Sequence, residues 1–268
     1  MTKWFENVVT KLPAMLAAAA LAAAAIVCGW GFTATAGDFA VDTKIQVDGK
    51  VLPGRTTTLF SGQRVYDLPS SPDQHVTKLD LVTGTFTVLE PTSHVQTQLS
   101  RADLVRYTAE ILVIAQSAES PALLKGLASP NFEVEWDADQ LKLNLRGSTL
   151  TYKVTLATTN ETDAAVRYRE FADAFARFNS IQRRGLPAVG RLQLNQFVAE
   201  KGMLPVAVER TLQIDSKPIT SLHKYRWGLA EEDRQRIVEV ERWEERFKSV
   251  GWTEFQRITQ ESATLSQR

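Results

Sequence analysis

The sequence predicts an α+β protein: a curved antiparallel β-sheet, built as a meander, with one face covered by α-helices and a long C-terminal helix. Residues 39–99 alternate apolar and polar positions between short turn signals, the period of half-buried strands. A helical segment then follows that is apolar enough to cover them. A second strand group and further amphipathic helices complete the chain, with no internal repeat and no low-complexity linker. Strands separated by so little chain must be antiparallel neighbours, because a parallel return needs a crossover of about a dozen residues.

The first 36 residues are set apart. Lys3 and Lys11 precede LPAMLAAAALAAAAIVCGW, and FTATAGDF supplies small residues at Ala34 and Ala36 before Gly37. A basic start, an apolar run and a small-residue site make a secretory signal peptide, with an uncleaved membrane anchor as the alternative. Val27 is too bulky for lipidation at Cys28. Cleavage after Ala36 leaves a chain with no cysteine, hence no disulfide, thiol nucleophile or thiolate metal site. The expected location is periplasmic or secreted, or inner-membrane anchored and facing the periplasm. In the anchored case the membrane is met only through that N-terminus. Residues 37–268 are expected to form a single α+β domain.

In FAVDTKIQV, Phe39, Val41, Thr43, Ile45 and Val47 share one side, and DGK at 48–50 is a turn. TTTLF and RVYDL flank a break at Ser61-Gly62, and SSPD at 70–73 is a loop. In VTKLDLVTGTFTVLEP (76–91), Leu79 and Leu81 share a face with Phe86 and Val88 across the turn at Thr83-Gly84. Lys78, Asp80, Thr85 and Thr87 point away, and VQTQL (95–99) adds another strand. The apolar face must be covered.

Ser100 is the expected N-cap of the first helix, with Asp103 at the third position. Leu104, Val105, Tyr107, Ile111, Leu112 and Ile114 form a broad apolar surface, predicting a helix buried on most sides. A short helix starts at Ser120-Pro121 and ends before Pro130-Asn131. FEVEW, QLKLNL and LTYKVTLA are strands joined at 137–139 and Gly147-Ser148. They belong to the same sheet as the first group, since either group alone would leave too much apolar face open. An amphipathic helix is predicted from Thr162 to Asn179, then a loop with Gly185, Pro187 and Gly190, and a helix over RLQLNQFVAEK stopped by Gly202. PVAVERTLQI and SLHKYRWGL form a hairpin around Lys217-Pro218. One charged helix is expected over 231–261, with Ile237, Val240, Phe247 and Val250 on its apolar side.

The charge balance excludes one class of partner. With 31 basic and 31 acidic residues and no basic stripe beyond Arg183-Arg184, the chain is not built to bind nucleic acid. His75, His94 and His223 fall in separate segments without paired spacing, so no zinc motif exists. SLHK (221–224) matches S-x-x-K only in letters, because it lies in a strand and the partner motifs of the penicillin-binding enzymes are absent. Glu133, Glu135, Asp137 and Asp139 share one side of a strand, where calcium or plain solvation are the two readings. No catalytic residue, metal or cofactor is predicted, and the chain reads as non-enzymatic.

YREFADAFARFN carries the stronger signal: Tyr168, Phe171, Phe175 and Phe178 recur every three or four residues. Such rings either fill the layer between helix and sheet or line an apolar cavity. The opposite side (Arg169, Glu170, Asp173, Arg177) reads as solvated. With Leu79, Leu81, Phe86 and Val88 from the sheet and Tyr107 and Ile111 from the first helix, the stripe gives the candidate pocket.

LFSGQRVYDL, then KLDLVTGTFTVLEPTSHVQTQLS running directly into a helix, resembles the LolA/LolB lipoprotein-carrier fold. YREFADAFARFN followed by GRLQLNQFVAEKGMLPVAVERTL is similar to exported bacterial proteins of that build. The resemblance spans 39–230 in pattern, without a diagnostic motif. It implies a curved sheet closed over by helices with acyl chains between. The departures are a strand at the mature N-terminus and a long charged helix at the end. The function expected is a periplasmic protein holding an apolar ligand, a lipid or lipidated protein, between sheet and helices. The alternative is an envelope scaffold with a dry core that binds a protein partner through its C-terminal helix.

Overall fold

In the computed structural model, the first strand, β1 (Phe39–Val47), pairs antiparallel along its whole length with a strand near the other end of the chain. Phe39 lies opposite Trp227 and Val47 opposite Ile219. This contact joins two strand groups into one open sheet. The structure describes residues 37–71, 74–161, 163–182 and 186–265. The N-terminal segment 1–36, Thr162 and the loop residues Arg183, Arg184 and Gly185 lie outside them.

After β1 come β2 (Lys50–Val51), β3 (Thr56–Ser61), β4 (Arg64–Pro69), β5 (Val76–Asp80), β6 (Phe86–Glu90) and β7 (Val95–Leu99). The helices α1 (Arg101–Gln116) and α2 (Ala122–Ala128) follow, then β8 (Glu133–Asp137), β9 (Lys142–Arg146) and β10 (Leu150–Ala157). The chain continues with α3 (Ala164–Ile181), α4 (Val189–Glu200), β11 (Leu204–Leu212) and β12 (Asp215–Trp227). It closes with α5 (Glu231–Arg246), β13 (Lys248–Ser249) and α6 (Trp252–Leu265). The strand order is β13-β7-β6-β5-β4-β3-β1-β12-β11-β10-β9-β8, with β2 on β1. Every pairing is antiparallel except β13 with β7.

Local chemistry accounts for several boundaries. Asp48 and Gly49 take positive φ values of 51° and 75°, the geometry a two-residue hairpin turn requires. Ser100 and Asp103 form the expected capping box: the Ser100 hydroxyl accepts from the Asp103 amide at 3.1 Å, and the Asp103 carboxylate accepts from the Ser100 amide at 3.0 Å. The last hairpin turns at Gln213-Ile214, with Leu212 opposite Asp215, so Lys217-Pro218 lies inside β12 rather than at the turn.

Two apolar layers and a third beneath the sheet make the core. On one face, Phe39, Phe60, Val65, Leu79, Phe86, Val88 and Leu99 pack under α1, α3 and α6 through Leu104, Phe171, Phe178 and Phe255. Farther along that face, Leu143, Leu145, Tyr152 and Val154 pack with Leu127 of α2 and Leu194 and Val198 of α4. On the opposite face, Ala40, Leu59, Tyr66, Leu68, Val76 and Leu89 are covered by Val240 and Phe247, with Ile237 and Trp243 beside them.

That third layer corrects three expectations. The helices cover both faces of the β3–β7 region, not one: Lys78 and Thr87, expected to point to solvent, are 7% and 1% exposed. The charged C-terminal helix is not continuous over 231–261 but broken after Arg246. There Phe247 and Val250 turn inward to bury, Lys248 and Ser249 pair with Val95 and Gln96, and the Gln96 amide donates to the carbonyls of Glu244 and Phe247. A straight helix would leave the β7 edge unpaired. Third, α1 is not buried on most sides: Leu104, Thr108 and Ala115 are buried, while Val105, Val113 and Ile114 are exposed. Apolar content overstated its contact, since only one stripe of a helix can face one sheet.

Candidate functional site

A cavity of about 550 Å³ lies between the central strands and helix α3. Its floor follows from strand phase, because alternate residues of a strand face the same side. Val41, Thr43 and Ile45 of β1 face it, as do Thr56 and Thr58 of β3, Asp67 of β4, and Ile219, Ser221 and His223 of β12. Pairing aligns these into cross-strand rows, Asp67 opposite Thr58, Thr56 and His223 flanking Thr43, and Ile45 and Val208 flanking Ser221. The roof is Tyr168, Phe171, Ala172, Phe175 and Ala176 of α3, and the far wall includes Leu150, Tyr152, Leu186, Pro187, Arg191 and Arg210. Large side chains fill the layer on either side, where Phe60 meets Phe171 edge-on at 5.9 Å and Phe132 meets Tyr152 at 6.1 Å. Between them the floor offers no aromatic ring of that size, and Thr43, Thr56, Thr58 and Ser221 are too short to reach the helix. The space follows from that difference in length.

The polar groups here are unusual in their burial. Thr58 donates to Asp67 Oδ1 at 2.6 Å, and burial, only partly offset by that bond, raises the Asp67 pKa to about 6. Thr43 Oγ1 lies 3.0 Å from His223 Nδ1, while the buried His223 Nε2 has no partner among the described residues. Burial, then the nearby Arg191 guanidinium, lower the His223 pKa to about 3, so the ring is neutral. Burial likewise raises the phenols of Tyr168 and Tyr225. Arg191 is held by a relay: its Nε donates to Asn195 Oδ1 at 3.0 Å, and Asn195 Nδ2 donates to Asp173 Oδ1 at 2.8 Å.

A hydroxyl beside an imidazole resembles a nucleophile and its base, but His223 is a weak proton acceptor and no carboxylate orients its Nε2 among the described residues. Nor does any group of three or more His, Cys, Asp or Glu among the described residues converge as a metal site. Glu135 instead pairs with Arg146 at 2.8 Å, and Asp137 accepts the turn amides of Asp139 and Gln140.

Of the residues expected at the pocket, Tyr168, Phe171 and Phe175 line the cavity. Leu79, Leu81, Phe86, Val88 and Phe178 are packed together in the core instead, with Phe86 and Phe178 rings 5.0 Å apart. Tyr107 lies at the edge of that core, and Ile111 is half-buried on α1. The side of α3 expected to be solvated ties it to its neighbours: Asp173 to Asn195 of α4, and Arg177 to Thr108 of α1 at 3.2 Å. The polar floor went unnoticed in the sequence, although ITSLHKY places Ile219, Ser221, His223 and Tyr225 in one phase.

No protein-family model matches this chain, and no curated protein matches it. Among solved structures it is similar to PNGF-II in two crystal forms, at 9% identity and TM-scores of 0.41 and 0.38. Each alignment covers 85% of this chain, which spans only 33% and 34% of those chains. A likeness this slight carries no argument about fold or chemistry. Among the described residues, no helix is long and apolar enough to cross a membrane.

Proposed function

We propose that this is a non-enzymatic, exported ligand-binding protein. It holds one lipid-like molecule, free or as the lipidated end of a protein, between a curved sheet and the helices that close over it. The observation that carries this reading is the cavity of about 550 Å³ under Phe171 and Phe175. Its size is that of a pocket for a single small molecule, roughly 300–1,000 Å³. Desolvation of an acyl chain there contributes about 0.8 kcal/mol per buried CH₂. The low basicity of His223 favours binding over turnover.

The scaffold reading has less support. The apolar side of α5 is occupied by Leu59, Tyr66, Leu68 and Leu89 of its own sheet. The test is native mass spectrometry and lipid extraction of protein taken from the periplasm, followed by titration with a fluorescent fatty acid. Bound lipid is expected, and Ala176→Trp, which fills the cavity from α3, abolishes uptake while the fold remains. Protein free of lipid and indifferent to the probe overturns the proposal.

A further inference from the structure

The cavity is not uniformly apolar, and its polar groups are unevenly placed. Arg191 and Arg210 both line it, and neither forms an ion pair among the described residues. Arg191 is aimed rather than free to swing, since its Nε is fixed by Asn195, itself fixed by Asp173. Arg210 reaches the same wall from β11, in register between Tyr152 and Ile219. His223 adds a buried ring nitrogen with no partner among the described residues. When the Thr43 hydroxyl donates to Nδ1, that Nε2 carries the proton and is a donor without an acceptor. Each of these groups is costly to cover with a ligand that offers it no partner.

We propose that the cavity takes a single-chain amphiphile with an anionic head. The head, a carboxylate or phosphate, is received by Arg191, Arg210 and His223, and the tail lies along Ile45, Phe171 and Phe175. This rests on the ligand-binding reading above and names the class of ligand. Among the described residues, Asp67 is the one carboxyl lining the cavity, and it stands on β4, opposite Thr58. It therefore repels an anionic head from that end and fixes the direction of entry. Among the described lining residues two guanidiniums stand against one carboxyl, with His223 neutral, so the lining itself is net positive, while Asp173 stands behind Arg191 outside it. A neutral amphiphile would strip water from both guanidiniums and return nothing. A carboxylate or phosphate accepts from them in the fork geometry that arginine favours.

The test is calorimetric titration of the delipidated full chain with dodecanoate, dodecyl phosphate and dodecanol, which share one tail. At least one anion is expected to bind about tenfold tighter than dodecanol, the effect of one charge-assisted hydrogen bond. Arg191→Gln removes that preference, bringing the anions to the affinity of dodecanol. Arg210→Gln reads the same preference if Arg191→Gln does not fold. The tighter anion identifies the head. Equal binding of alcohol and both anions overturns the head assignment and leaves the ligand-binding reading standing. Failure of all three to bind overturns both.

Discussion

The Thr58 hydroxyl donates to Asp67 Oδ1 at 2.6 Å across two paired strands, in a place where the carboxyl is 6% exposed. One hydrogen bond does not replace the water that burial removes, so the folded Asp67 pKa is raised from 3.8 to about 6. A carboxyl whose folded pKa is raised contributes stability that is complete below pH 3.8 and is lost as pH rises through about 6. Asp67→Asn keeps an acceptor for Thr58 and removes the charge. It is expected to stabilise the protein by about 2–3 kcal/mol at pH 8, with the gain vanishing as pH falls below about 4. Urea denaturation of both proteins across that range checks this, and a pH-independent difference would sink it.

Lys78 reaches from β5 to Glu241 of α5 at 3.1 Å and also contacts Glu244, while its own side chain is only 9% exposed. Removing the ammonium takes this counter-charge from two half-buried carboxylates, leaving Glu241 with Arg64 and Tyr66 and Glu244 with Gln98. Lys78→Met is expected to cost about 2–3 kcal/mol, less than a fully buried pair because the glutamates retain some water. Adding Glu241→Gln and Glu244→Gln should recover most of that loss. A triple variant as unstable as the single would show that the charges are not the cause.

Phe247 stacks on Trp243 at 5.9 Å and meets His94 edge-on at 5.3 Å, at the point where the C-terminal helix breaks. Phe247→Ala leaves a cavity there and should destabilise the fold by about 3 kcal/mol. Hydrogen exchange should rise first at the Lys248 and Val250 amides, which donate to His94 and Gln96. Unchanged protection at those amides would mean the break is held by something else.

Gly126 of α2 sits so close to the residue before β10 that an added Cβ would lie 2.0 Å from Thr149 Oγ1 and 2.9 Å from Thr149 Cβ. Gly126→Ala therefore gains helix propensity but forces α2 away from the sheet. A net loss of about 1–2 kcal/mol in thermal or urea unfolding is expected. A stabilised Gly126→Ala would contradict the close approach.

By itself the sequence determined what depends on near neighbours. The meander of β3–β7, the hairpin at Asp48-Gly49, the capping box of Ser100 and Asp103, and the aromatic stripe of α3 all follow from periods of two or three to four residues and from turn chemistry. Only the tertiary structure decided which faces those periods would present. Lys78 and Thr87 read as a wet strand face and became buried, Lys78 because Glu241, far along the chain, supplied its counter-charge. The single helix foreseen over 231–261 broke because a sheet edge needed Lys248 and Ser249 more than the helix did. The cavity depends on β1 meeting β12, which sets Thr43 beside His223 across 180 residues of sequence. Alternation fixes that each strand has two sides; only long-range pairing fixes what each side meets.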